Sequence, residues 1–132
     1  MPKPITRPSL PEPIPDGGVG YHTIFDFYHC VPDILNDLAK LDDMMLRASR
    51  EAGAQVINIQ SKQFEPYGVS SMVVLAESHL SLHTWPEHHF AAVDLFTCTP
   101  KIDVMIAKKI LQEALGSQRL DVKTMRRGFP HR

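Results

Sequence analysis

The alternation of apolar and polar residues predicts strands interrupted by two helices. Residues 21–30, YHTIFDFYHC, are rich in aromatic and β-branched side chains and predict a first strand. From residue 34 to residue 52, apolar residues recur at spacings of three and four, which is typical of an amphipathic helix. Asp33 is in position to cap its first turn, and Gly53 is in position to end it. We therefore expect one continuous helix from Pro32 to Ala52.

Further strands and a second helix follow. The remaining predicted elements are strands over residues 55–64, 69–76, 77–84 and 90–98, a helix over residues 100–115, and an edge strand over residues 121–127. The strand 69–76 is almost continuously apolar, so it should be central and buried, and the segment after it is either a separate strand or merges with it. In residues 90–98 the alternation places Asp94, Phe96 and Cys98 on one face.

These elements predict an α+β fold. Short turns join most neighbouring strands, so the sheet should be largely antiparallel. The two amphipathic helices would cover one of its faces, giving a two-layer sandwich. The other face must then be solvated or buried against a partner.

Composition adds a domain division and excludes several classes of function. Six of the eleven prolines fall in residues 2–15, so we expect residues 1–18 to form a proline-rich flexible arm and residues 19–132 a single domain. A net charge of -1 gives no reason to expect a nucleic-acid partner, and no apolar run reaches the roughly 20 residues of a membrane helix. The N-terminus lacks an apolar signal segment and the cysteines number only two, which together indicate a cytoplasmic protein with free thiols.

The segment ESHLSLHTWPE, residues 77–87, concentrates polar and reactive groups where a strand is expected. Its histidines suggest a metal site, but His79 and His83 on one strand would lie roughly 13 Å apart, too far to share an ion. We therefore expect no metal. A Ser-His-acid hydrolase is also disfavoured, because Ser78 lacks the flanking glycines of a nucleophile elbow. The simplest alternative is a tolerated strand serine beside solvated histidines.

A hairpin offers a more specific interpretation of the same segment. If the turn is centred near residues 86–88, antiparallel pairing puts Ser78 opposite residues 94–98. Ser78 and Cys98 would then lie at one end of the hairpin. We expect His83 to join them in one small volume.

Three motifs in this region resemble a known family. PYGVS, ESHLSLHTWPE and AAVDLFTC, all within residues 64–98, occur in the order and spacing of the prokaryotic S-adenosylmethionine decarboxylase proenzymes. Weaker similarity extends over most of residues 21–115, beginning with FDFYHC. The resemblance implies decarboxylation of S-adenosylmethionine, which supplies the aminopropyl donor for spermidine.

The resemblance also implies that the chain cuts itself. The cut would fall between Glu77 and Ser78, giving a β chain, residues 1–77, and an α chain, residues 78–132. Ser78 would become a pyruvoyl group, the covalent cofactor whose ketone forms a Schiff base with the substrate amine. Serine is required because its Oγ serves first as nucleophile and then as leaving group.

The family's other functional residues match positions in this chain. Ser70 and His83 match the processing residues, His83 as a proton acceptor. Cys98 matches the proton donor of catalysis. Phe64 and His83 match residues that flank the adenine, and Glu87 matches an acid for which we expect contact with the ribose hydroxyls or the substrate amine. Outside the resemblance, Ser70 is simply a strand hydroxyl, Cys98 a small buried apolar residue and Glu87 a solvated carboxylate.

Two departures from the family pattern leave alternatives open. The family commonly has glycine at the positions of His89 and Thr99. These changes leave the chemistry intact but open the alternative that arginine or ornithine is the substrate of the same pyruvoyl machinery. A further alternative is a non-enzymatic, His-rich binding module. The family's active site lies where two protomers meet, so the resemblance implies a homodimer.

Overall fold

A single antiparallel sheet of six strands organises the chain, and the computed structural model describes it over residues 18–129. The strands are β1 (Gly20–Tyr28), β2 (Val56–Gln63), β3 (Val69–Leu75), β4 (Ser78–Trp85), β5 (Phe90–Thr97) and β6 (Arg119–Arg127). The helices are α1 (Pro32–Leu35), α2 (Leu38–Glu51) and α3 (Val104–Leu115). Laterally the strands run β2-β3-β4-β5-β1-β6, with every neighbouring pair antiparallel. The predicted arm, apart from Gly18, lies outside the described residues.

The predicted two-layer α+β sandwich is confirmed. Helix α2 packs on β2 and β3, and α3 packs against α2 and β1, so both main helices cover the same face. The core between the layers contains fully buried side chains such as Phe25, Phe27, Leu41, Leu80 and Leu111. Their burial is the main favourable term for the fold, at about 1.5–3 kcal/mol for each large apolar side chain. No helix in the described range is long and apolar enough to cross a membrane.

The face away from the helices, here called the open face, carries the alternate residues of each strand. Apolar side chains remain exposed there, namely Ile24, Met72, Val74, Trp85 and Met125. Most of the polar residues singled out in the sequence share this face. The core therefore lies between the sheet and the helices, and the open face presents polar residues such as Ser70, His83 and Asp94.

The structure separates the strands around residue 77. Ala76 and Glu77 form a turn, so β3 and β4 are distinct and do not merge. The last strand also forms at the predicted edge, pairing with β1 along its whole length. The strands predicted over residues 77–84 and 121–127 therefore correspond to β4 and β6.

The prediction of one helix from Pro32 to Ala52 is wrong, because the chain breaks at Asn36 and Asp37. The Asn36 side-chain oxygen accepts hydrogen bonds from Gly68 N at 2.8 Å and from Gln63 Nε2 at 2.9 Å. These bonds tie the break to the turn between β2 and β3. Tertiary contacts thus replace one turn of helix.

The caps of the helices differ accordingly from the prediction. Asp33 does not cap: the N-cap of α1 is Val31, which makes no side-chain cap bond. Asp37 caps α2, its carboxylate accepting from Lys40 N at 3.1 Å. Helix α3 begins at Val104 and not at residue 100, because Asp103 is its N-cap. The Asp103 carboxylate accepts hydrogen bonds from Met105 N at 3.0 Å and from Ile106 N at 3.2 Å, two N–H groups that have no partner within the helix.

The two aspartates provide a matched stability test. Asp37→Ala removes the cap of α2, so the free energy of unfolding should fall by about 1 kcal/mol. Asp33→Ala, which removes no cap bond, should leave it nearly unchanged. Urea unfolding followed by circular dichroism measures both values. Equal losses in the two variants would contradict the assignment of the cap to Asp37.

Candidate active site

The predicted site residues form two groups at opposite ends of β4. Ser78 begins the strand, paired with Leu75 on β3 and Thr97 on β5. One residue beyond this pairing, the Cys98 N–H donates a 3.1 Å hydrogen bond to the Glu77 carbonyl oxygen. The predicted juxtaposition of Ser78 with the segment ending at Cys98 is therefore confirmed.

The Glu77 side chain anchors the turn before Ser78. Glu77 is only 8% exposed, and its Oε1 accepts a hydrogen bond from the Gln55 N–H at 3.1 Å. Next to it, Ala76 N donates to the Gln55 carbonyl at 2.9 Å. The peptide between Glu77 and Ser78 is thus held by backbone bonds on one side and by a buried carboxylate on the other.

Ser78 has an unusual backbone conformation, with a φ of 154°. That region is occupied essentially by glycine, and a side chain there costs on the order of 1–3 kcal/mol. The strain lies at the bond that the family resemblance identifies as the cleavage point. Strained backbone conformations persist only where the surrounding fold holds them, and they are concentrated at reactive positions.

The two cysteines have different environments. Cys98 is half-buried and directly follows the last residue of β5. Cys30 is 1% exposed and its Sγ lies 3.4 Å from the Phe27 carbonyl oxygen. Desolvation by burial raises the pKa of the Cys30 thiol to about 11, so it is almost entirely protonated at neutral pH. Of the two cysteines, Cys98 is the one whose backbone contacts the residue before Ser78.

The second group lies at the far end of β4. Ser70 on β3 pairs with His83, and Ser70 Oγ and His83 Nδ1 are hydrogen-bonded at 2.9 Å. Phe64 follows the end of β2 and leaves 46% of its surface exposed. Glu87 is exposed in the 3₁₀ turn Pro86–His88 that joins β4 to β5. This group collects all the predicted substrate-binding residues.

The expectation that His83 joins Ser78 and Cys98 in one volume is wrong within a single protomer. His83 lies five residue steps along the extended strand from Ser78, which corresponds to about 16 Å. A shallow cavity of about 310 Å³ beside Ser70 and His83 is lined also by Met72 and Lys62. It opens on the open face, away from Ser78.

A polar network that the sequence reasoning missed lies between the two groups. Asp94 Oδ2 accepts from His22 Nε2 at 2.7 Å and from His79 Nε2 at 3.0 Å, and Oδ1 accepts from the Ser81 hydroxyl. Partial burial alone would raise the pKa of Asp94, but the hydrogen bonds from Ser81, His79 and His22 outweigh it and hold that pKa below its usual range. The alternation of β5 had placed Asp94 on this face; only the pairing of β1 with β5 brings in His22.

The two departures from the family pattern have different structural settings. His89 adopts a left-handed conformation with φ of 53°, the kind of position that glycine occupies without strain. Histidine tolerates it better than most side chains. Thr99 has no such conformation; its Oγ1 accepts from Lys101 N at 3.2 Å and its carbonyl accepts from the Thr97 hydroxyl at 3.1 Å.

Comparisons with known proteins give one consistent result. The model of the S-adenosylmethionine decarboxylase family matches residues 21–128. The S-adenosylmethionine decarboxylase proenzymes of Thermosipho africanus and Carboxydothermus hydrogenoformans are 46% and 41% identical over 110 residues, covering 83% of this chain and 85% and 87% of theirs. The crystal structure of adenosylmethionine decarboxylase from Aquifex aeolicus superposes with a TM-score of 0.77 at 32% identity, covering 84% of this chain and 92% of that one.

The contrast between the cysteines predicts selective alkylation. In the folded protein iodoacetamide should label Cys98 first and leave Cys30 unmodified, because Cys30 is buried and its thiol pKa is raised. Peptide mass spectrometry measures the labelling of each. In the control variant Cys98→Ser, Cys30 should react only after unfolding in urea. Labelling of both cysteines at equal rates in the native protein would contradict the assigned environments.

Proposed function

This chain belongs to the S-adenosylmethionine decarboxylase family, and we propose that it decarboxylates S-adenosylmethionine after cutting itself between Glu77 and Ser78. The observation that carries the proposal is the strained Ser78 at a rigid turn, within a chain that matches the family over residues 21–128. The product would be the decarboxylated form that serves as aminopropyl donor for spermidine. We place the activity in the cytoplasm.

The cut begins with Ser78 acting on the preceding peptide bond. Its Oγ bonds to the Glu77 carbonyl carbon, the C–N bond breaks, and the amide nitrogen gains a proton, so an ester replaces the amide. Negative charge that develops on the Glu77 oxygen is stabilised by the Cys98 N–H, which already donates to it at 3.1 Å. Relief of the strain at Ser78 favours the same step.

The ester then breaks by elimination. Removal of the Ser78 Cα proton expels the Glu77 carboxylate from Cβ and leaves a dehydroalanine. The dehydroalanine tautomerises to an imine, and hydrolysis of that imine gives the ketone and releases the nitrogen of residue 78 as ammonia. The β chain then ends at Glu77, and a pyruvoyl group begins the α chain, residues 78–132.

The pyruvoyl group supplies an electron-accepting carbonyl for decarboxylation. Around it the chain's own residues bind the substrate and return a proton. Cys98 lies beside Ser78 and is assigned the proton transfer to the product carbon. The exposed ring of Phe64 and the imidazole of His83 are assigned the two sides of the adenine, and Glu87 the ribose hydroxyls or the substrate amine.

A homodimer of αβ protomers reconciles these assignments with the geometry. His83 lies about 16 Å along β4 from Ser78, and Ser70 is hydrogen-bonded to His83. Ser70 and His83 therefore cannot reach the Glu77–Ser78 bond of their own protomer. If two open faces pack about a twofold axis, the end bearing His83 in one protomer meets the end bearing Ser78 in the other. The exposed apolar residues of the open face supply area for that contact.

The alternative substrates are less well supported. The relatives described above are named for S-adenosylmethionine, and the exposed ring of Phe64 suits a purine better than an alkyl amino acid. Release of labelled CO₂ from S-adenosylmethionine, arginine and ornithine separates the candidates. Turnover of arginine or ornithine alone would contradict the proposed substrate. The same relatives argue against a non-enzymatic His-rich module.

The cut site predicts the behaviour of a single substitution. Ser78→Ala should give one uncut chain without decarboxylase activity, because alanine has neither a nucleophile nor a leaving group. Intact-mass spectrometry reports both chain length and the ketone at the new terminus. Ser71→Ala, on β3 and facing the helices, is the matched control and should still be cut. Two chains from Ser78→Ala would contradict the assigned bond.

The composite site predicts complementation between two inactive chains. We expect Ser78→Ala and His83→Ala each to remain uncut alone. Co-expressed with different tags, the hybrid should contain one complete site, formed by Ser78 of the His83→Ala chain and His83 of the Ser78→Ala chain. Mass spectrometry of the doubly tagged dimer should then find the His83→Ala chain cut. An uncut chain in that hybrid, or failure to recover any hybrid, would contradict the twofold arrangement.

A further inference from the structure

The network of His22, His79 and Asp94, here called the triad, has the composition of a metal site. Its three candidate ligand atoms, two imidazole Nε2 and one carboxylate oxygen, lie within 4.8 Å of one another. They come from three adjacent strands, β4, β5 and β1. We propose that the triad binds one divalent transition-metal ion, for which Zn²⁺ is the probe. This inference does not depend on the proposed function.

Two of the three ligand separations lie close to those of a tetrahedral zinc site. Ligands at about 2.0–2.1 Å from a tetrahedral zinc are separated by roughly 3.3–3.4 Å from one another. The triad now has Asp94 Oδ2 at 2.7 Å from His22 Nε2 and 3.0 Å from His79 Nε2. Each nitrogen need move only a few tenths of an ångström away from the carboxylate oxygen, and the two nitrogens lie within 4.8 Å of each other. Both histidines direct the same kind of nitrogen at one point.

The surroundings hold the ligands in place. Ser81 donates to the second carboxylate oxygen of Asp94, which fixes the carboxylate orientation as outer-shell partners do in metal sites. The ring of Phe96 contacts both imidazoles, edge-on to His22 at 5.4 Å and stacked with His79 at 6.1 Å between centroids. Strand pairing positions the three backbones rigidly, so little conformational entropy is lost on binding.

In a single protomer the site is open to an ion and to a further ligand, and in the proposed dimer it would lie between the two open faces. The side chains of His22, His79 and Asp94 are 21%, 33% and 26% exposed. Two histidines and one carboxylate leave the fourth tetrahedral position free for water or another donor, as in sites with three protein ligands. An ion here would link three strands beside the segment that carries Ser78.

The experiment is a Zn²⁺ titration of the chelator-treated, dialysed protein by calorimetry. One ion per chain is expected, and His22→Gln should weaken the affinity by more than about 100-fold, because it removes a direct ligand. Ser81→Ala should weaken it by the smaller factor of about 10–100 that loss of an outer-shell partner causes. His88→Gln, an exposed histidine in the 3₁₀ turn, is the matched control and should bind like the parent.

A second measurement needs no variant and covers the case in which His22→Gln does not fold. Zn²⁺ should shift the imidazole NMR signals of two histidines, His22 and His79, among the seven in the chain. The ultraviolet and visible spectrum of the Co²⁺ form should show the intense bands of a tetrahedral site. Equal affinity in His22→Gln, shifts confined to other histidines, or no binding at all would each overturn the proposal.

Discussion

The hydrogen bond from the Cys98 N–H to the Glu77 carbonyl fixes the reactive end of this fold. It joins the end of β5 to the turn before β4, and the buried Glu77 carboxylate holds the same turn to Gln55. Ser78 enters β4 directly after this anchored turn, with a φ of 154°. The strain is therefore imposed by the sheet and is stabilised by the packing of the core below it. The proposed chemistry uses this imposed geometry directly.

The second constraint is the length of β4. A strand of eight residues places its two ends too far apart for side chains at both ends to meet. Ser78 and His83 are therefore separated by the same regular structure that positions each of them. The proposed pairing of two open faces would bring the two ends together without altering either strand. The exposed apolar residues of the open face would then be buried in the contact between the two protomers.

Local periodicity predicted much of the fold, and its failures have identifiable causes. Alternation in residues 90–98 sufficed to place Asp94 and Phe96 on one face, because side chains of a strand alternate strictly. The break before α2 was missed because Asn36 looks like any polar position of an amphipathic helix; its bond to Gly68 is a tertiary contact. The contact of His22 with Asp94 spans 72 residues and needs the lateral strand order, which periodicity does not contain. The separation of Ser78 from His83 is different, because both lie on one strand and the rise of about 3.3 Å per residue already places them apart within a protomer.

The lateral order of the strands also determines the fate of the two pieces made by a cut at residue 77. The first piece would carry β1, β2 and β3, and the second β4, β5 and β6. In the sheet, β1 lies between β5 and β6, so a strand of the first piece is enclosed on both sides by strands of the second. The fragments are interleaved, and drawing them apart would require breaking three ladders of backbone hydrogen bonds. Severing the chain thus leaves a molecule whose parts can separate only by unfolding.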